Sequence, residues 1–248
     1  MKNKHIWLFY ISFLGIHFSN QAQGENKIIS NDTIIIKSDS LDKKIYKLRF
    51  GFDPIKTVLS QTDNNYNGIE IVGDFSLFKN LFFAIEFGTE DKTKQSEKIN
   101  FTTTGSYIKL GADYNMYKNW KGMNNQIYIG FRFSNSLHKQ RVNSFYLRNS
   151  DFLWGNELIT SGAGIGLREK LNASWIEFIT GIKVQVLKNI YMGFSVRFNR
   201  LINDKKPLNF DNLYIPGFNK KTDENIFGAG FNYTISYSIP IKFSKNKE

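Results

Sequence analysis

From residue 45 onward the chain alternates apolar and polar positions with a period of two, in eight separate runs. Successive side chains of a strand point to opposite sides, so each run reads as a strand with two unlike faces. In the first, Tyr46, Leu48, Phe50 and Phe52 share one face and Lys47, Arg49, Gly51 and Asp53 the other. In the fifth, Ile127, Ile129, Phe131 and Phe133 oppose Gln126, Tyr128, Gly130, Arg132 and Ser134. The other runs lie near residues 69–75, 81–88, 107–115, 175–185, 190–199 and 227–239, and no apolar face carries a charge.

The connections alternate as well. Strands two and three, four and five, and six and seven are joined by short turns carrying Lys79-Asn80, Lys118-Asn119 and Lys188-Asn189, whereas residues 54–66, 89–98, 138–172 and 203–224 form long connections. Short turns at one end and long loops at the other are the layout of an even-stranded outer-membrane barrel. The pattern predicts an all-β fold: an eight-stranded antiparallel up-and-down transmembrane β-barrel with a filled polar lumen, short periplasmic turns and long extracellular loops. A soluble lipocalin-like barrel would turn the apolar faces inward instead, and the alternation by itself does not separate the two.

Charge does bear on that choice. The polar faces carry Lys47, Arg49, Lys109, Arg132, Lys183 and Arg197 against Asp53, Glu70, Asp74, Glu86, Asp113 and Glu177, six against six. An eight-stranded barrel has an interior just wide enough for side chains, where charges need partners, so a neutral total suits a lumen. The N-terminus points the same way. Lys2 and Lys4 precede an apolar stretch over residues 6–18 and a polar region ending near Ala22. That is too short to span a bilayer and has the form of a secretory signal, residues 1–22. Residues 23–44 are expected to form an N-terminal periplasmic extension, residues 45–243 the barrel and residues 244–248 a tail.

The 248-residue chain has no cysteine, which excludes disulfides, thiolate metal sites and thiol nucleophiles. Its net charge is +11, and part of the excess gathers at Lys79, Lys118, Lys121 and Lys188 in the predicted turns. This basic periplasmic rim suits lipid headgroups or an acidic partner. The basic residues are not gathered with aromatics on one groove, which argues against nucleic acid. Removal of the signal leaves His138 as the one histidine, with Ser136, Ser144 and Asp151 near it in sequence. A hydrolase or acyltransferase centre there is the weaker reading beside a rim histidine. Gly162-Ala163-Gly164-Ile165-Gly166 lacks the strand-loop-helix context of a phosphate loop. No metal or cofactor is expected, because the lumen acids are matched by bases.

The long connections carry apolar clusters: Phe145, Tyr146, Phe152 and Trp154 in one, and Phe210, Leu213, Tyr214, Ile215, Pro216 and Phe218 in another. Such clusters, when exposed, mark partner surfaces; the alternative is that the loops pack on each other or fold over the barrel mouth. The expected role is a non-enzymatic subunit of a larger outer-membrane complex, with barrel-assembly or protein-export machinery the first partners to consider. A free-standing surface protein that binds an external ligand through its loops is the alternative.

The segments from Ile99 to Ile108, Ser174 to Phe178 and Phe210 to Asn219 resemble an uncharacterised family of predicted outer-membrane barrel proteins from Bacteroidota. The resemblance covers roughly residues 45 to 243. It implies a location and no activity, and it supplies no catalytic residues.

Overall fold

The computed structural model describes residues 45–119, 123–147, 157–207, 211–220 and 226–242. The expected signal, extension and tail lie outside these residues. The elements are β1 (Ile45–Phe52), α1 (Pro54–Thr62), β2 (Tyr66–Ser76), β3 (Leu81–Gln95), β4 (Ile99–Asn115), β5 (Gln126–Leu147), β6 (Glu157–Ile159), β7 (Gly166–Leu187), β8 (Ile190–Asp204), β9 (Tyr214–Ile215), β10 (Asn219–Lys220) and β11 (Phe227–Lys242).

Eight of the strands run in the order β4, β3, β2, β1, β11, β8, β7, β5, and β5 pairs back onto β4, which closes the sheet into a ring. Every pairing is antiparallel. The predicted apolar faces all point outward: Phe50, Ile71, Phe87, Phe131, Phe178 and Phe231 stand exposed on six different strands. The polar faces point inward, with Arg49, Glu70 and Glu177 almost wholly covered. A continuous apolar belt outside and charge inside is the inverted polarity of a transmembrane barrel.

Two of the predicted loops are mostly strand. β3 runs to Gln95 and β4 starts at Ile99, so residues 89–98 form a hairpin with a tight turn at 96–98. β5 likewise continues to Leu147 and β7 begins at Gly166. These extensions carry Thr93, Thr102, Thr103, Thr104 and Ser144. Threonine suits a pleated strand, but hydroxyl residues on both faces leave no apolar alternation to detect.

The wall is incomplete at one place. β1 pairs with β11 only from Ile235 to Lys242, and with β2 only from Ile71 to Phe75. Toward the loop end, therefore, the β1-facing edges of β11 and β2 have no strand between them. α1 fills the lower part of this notch. Asp53 caps it, accepting from the backbone N–H of Ile55 (2.8 Å) and Lys56 (3.3 Å), and Pro54 opens the first turn. Ser60 Oγ accepts the Gly68 N–H at 2.7 Å and faces the Gly68 carbonyl at 2.9 Å, so a helix side chain satisfies a strand edge. Ile55, Val58 and Leu59 of α1 face outward and extend the apolar surface.

Candidate functional site

Inside the barrel the strands build a ladder of alternating charge. Arg49 pairs with Asp74 (2.6 Å), Asp74 with Lys183 (2.8 Å), Lys183 with Asp113 (3.4 Å) and Asp113 with Arg132 (2.8 Å). It continues through Glu86 (3.2 Å from Arg132), Arg197 (2.6 Å), Glu177 (3.1 Å) and Lys109 (2.8 Å). A second, shorter set lies beside α1, where Lys56 bridges Glu70 (2.9 Å) and Glu90 (2.7 Å). The Tyr107 hydroxyl joins both Lys56 and Glu70. Buried charges are tolerated only when each is paired and hydrogen-bonded, and the alternation meets that requirement along the lumen.

Above the ladder, part of the connection between β8 and β11 folds back into the mouth of the barrel. The small β9–β10 hairpin turns at Pro216-Gly217-Phe218, and Ile215 and Phe218 are completely covered. They pack with Tyr107, Ala173, Trp175 and Leu201 as the apolar core of the described residues. Trp175 and Phe218 meet edge-to-face with ring centres 5.7 Å apart. Gly217 has φ of 79°, and a Cβ there would stand 2.6 Å from the Tyr107 ring, so the turn requires glycine twice over.

Polar contacts pin this plug. Glu90 accepts from the Tyr214 hydroxyl (2.7 Å) and the Gly217 N–H (3.0 Å). Gln140 accepts from Leu213 N–H (2.9 Å) and donates to the Asp211 carbonyl (3.2 Å). His138 Nε2 lies 3.0 Å from Asn212 Oδ1, and Asn212 donates to Asp204 at 3.0 Å. Burial holds the His138 pKa below the ordinary histidine value, with the Asn212 contact opposing that shift. Burial and the neighbouring Glu90 carboxylate push the Tyr214 hydroxyl well above the usual tyrosine range.

The structure places most of the predicted lumen network where the alternation put it and corrects two members. Lys47 is half-buried and donates to Asn124 Oδ1 at 2.7 Å, outside the ladder. Asp53 is the cap of α1 and accepts from Asn232 at 2.9 Å instead of pairing with a base. Their places are taken by Lys56 and Glu90, so the described ion pairs again join six bases to six acids. Both lie in segments that the alternation assigns to loops. Glu90 continues the inward parity of Glu86 and Gly88, and Asp53-Pro54 is a helix start, so each left a signal in the sequence.

The proposed partner surface changes more. Tyr214, Ile215, Pro216 and Phe218 are buried in the plug and Leu213 is half-buried, so this cluster packs on its own barrel and is not an exposed patch. Phe145 is half-buried and Tyr146 exposed, while Phe152, Trp154 and Phe210 lie outside the described residues. Lys79, Lys118 and Lys188 are exposed at the turn end, and Lys121 lies outside the described residues.

Comparison with known proteins adds the family. The model of the family described as Domain of unknown function (DUF6048) matches residues 5–244. The chain belongs to the DUF6048 family. Among solved structures, this DUF6048 chain is similar to Ail, the attachment invasion locus protein of Yersinia pestis, at 8% identity and a TM-score of 0.39, covering 79% of this chain and 99% of that one. It is also similar to Neisserial surface protein A, at 11% identity and a TM-score of 0.37, covering 79% and 96%. No curated protein matches the sequence.

Within the DUF6048 barrel, neither nitrogen of His138 is joined to a hydroxyl or carboxylate among the described residues: Nε2 meets Asn212 and Nδ1 has no partner. The described contact of His138 is one with the plug, and Asp151 lies outside the described residues. Gly162, Gly164 and Gly166 all have positive φ and lead into β7, not into a helix. The lumen acids face arginine and lysine, and the described residues contain no cluster of metal-ligating groups.

Proposed function

We propose that this protein is an integral outer-membrane barrel that serves as a structural subunit of a larger membrane assembly, without enzymatic or channel activity. The observation that carries the reading is the filled interior. The charge ladder occupies the lumen and the β9–β10 plug closes its mouth, which leaves the outer surfaces as the working parts. One of these is the projection formed where β6 adds to the end of β5: Tyr146, Leu147 and Leu158 are exposed there. Exposed apolar groups beyond the membrane belt suit a protein contact. With the start of β1, the end of β11 and the turns on the periplasmic side, Lys79, Lys118 and Lys188 stand at the inner-leaflet headgroups.

Barrel-insertion and protein-export machineries are the first partners to test. A C-terminally tagged protein, extracted in mild detergent, is expected to bring down a small stoichiometric set of outer-membrane proteins. Replacing Tyr146 and Leu158 with Asp is expected to release them. Recovery of a clean monomer under several mild detergents refutes the subunit reading.

A further inference from the structure

The notch between β2 and β11 is only partly filled by α1, and above it lies a cavity of about 510 Å³ reaching from the β3–β4 hairpin across to β11. Lys92, Lys94 and Lys98 line it, over a floor that includes Phe101, Tyr214 and Ala229. Every base in the lumen ladder has a carboxylate, yet none of these three lysines has one within ion-pairing distance among the described residues. Lys92 is held instead over the rings of Tyr214 (4.9 Å) and Tyr66 (5.8 Å), which fixes its ammonium without neutralising it.

The height of the cavity narrows the choice of ligand. The outward side chains change from apolar to hydroxyl between Phe87 and Thr89 on β3 and between Ile108 and Ser106 on β4. That change marks the edge of the hydrocarbon layer. Lys92 lies three residues farther along β3, about 7 Å in height for a strand tilted by about 45°, which falls within the headgroup layer. Below the cavity, in the same notch, α1 presents Ile55, Val58 and Leu59 to the membrane.

We propose that this cavity binds the phosphate-bearing headgroup of an anionic lipid from the surrounding leaflet, with the acyl chains lying against α1. The lysines supply the charge, the aromatic floor covers the glycerol or sugar backbone, and the missing strand gives the lipid a lateral route that a complete wall would close. The site needs no protein partner and stands independently of the subunit reading.

The test uses the full chain purified in detergent and titrated with dimyristoyl phosphatidylglycerol or dimyristoyl phosphatidylcholine, with bound lipid counted by native mass spectrometry. Wild type is expected to retain the anionic lipid at least about tenfold better, since the lysines attract a charged headgroup. K92Q/K94Q/K98Q is expected to cut the preference at least about tenfold, and K79Q/K118Q/K188Q, which removes the rim charges at the opposite end, to cut it less. Val58→Asp is expected to weaken lipid retention while leaving the lysines in place. Heat-modifiable gel mobility reports folding, and the single variants K94Q and K98Q, both at exposed positions, serve if the triple variant does not fold. An unchanged preference in the lysine variants overturns the proposal. So does displacement of the lipid by excess inorganic phosphate, which would mark a site for a soluble anion.

Discussion

Glu86 is where the interior is most sensitive to a single charge. Its carboxylate accepts from Arg132 Nε at 3.2 Å and from Arg197 at 2.6 and 3.1 Å, with all three side chains nearly inaccessible. Glu86→Gln keeps the shape and removes the charge. Arg132 then retains Asp113 at 2.8 Å and Arg197 retains Glu177 at 3.1 Å, but the ladder carries one uncompensated positive charge. Leaving a buried charge without its partner costs about 3–5 kcal/mol. Lys47→Met is the control. It removes a base of the same inward face whose contact is the Asn124 side chain, so its expected cost is under about 1 kcal/mol. Adding Arg197→Met to Glu86→Gln restores neutrality and is expected to recover part of the loss, a coupling visible only in the double variant. The assay is urea unfolding of the barrel in lipid vesicles, followed by tryptophan fluorescence, since Trp175 is completely buried. If Glu86→Gln matched wild type, or if Lys47→Met cost as much, the ladder would not be the interior's organising contact.

The remaining predictions concern the wall, the plug and pH. Ile182 faces outward between Ile127 and Phe194, and Ile182→Arg is expected to cost about 2–4 kcal/mol and to impair assembly, measured by heat-modifiable mobility in membranes. Gly217→Val drives a side chain into the Tyr107 ring at a left-handed backbone position, so the plug is expected to leave the mouth. Limited proteolysis should then cut the β8–β11 connection faster while the barrel stays folded. His138 is held neutral by burial, so the folded form binds fewer protons than the unfolded one. The stability that comes from burying a neutral His138 is therefore full above about pH 6.5 and is lost as pH falls below it, so acidification is expected to speed the same proteolysis in wild type and not in His138→Gln.

The period-two alternation carried most of the fold. It assigned both faces of all eight barrel strands, because in a barrel of inverted polarity most apolar residues of the belt have a polar neighbour pointing the other way. It failed where that contrast vanishes. The β3–β4 extension sets Thr93 against Thr102, with Oγ atoms 2.9 Å apart, and hydroxyls facing hydroxyls look like loop in one dimension. The plug was misread for a different reason. Ile215 and Phe218 are as apolar as any partner surface, and the fold decides between the two readings by packing Tyr107 and Trp175 with them. The lumen ion pairs join six bases to six acids, with Lys56 and Glu90 among them and Lys47 and Asp53 outside them.

The ladder also dictates how such a barrel can be put together. Lys183 reaches Asp74 across 109 residues of chain, and Arg197 reaches Glu86 across 111. Neighbouring strands therefore neutralise one another only in part, as Arg49 with Asp74 and Arg197 with Glu177 do. A half-built sheet, whichever end of the chain it started from, holds bare charges on its concave side, and those charges are expensive in hydrocarbon. Strand-by-strand insertion is thus penalised until the last strands arrive, and the ring closes in a single concerted step or within a surface that keeps the growing concave side wet.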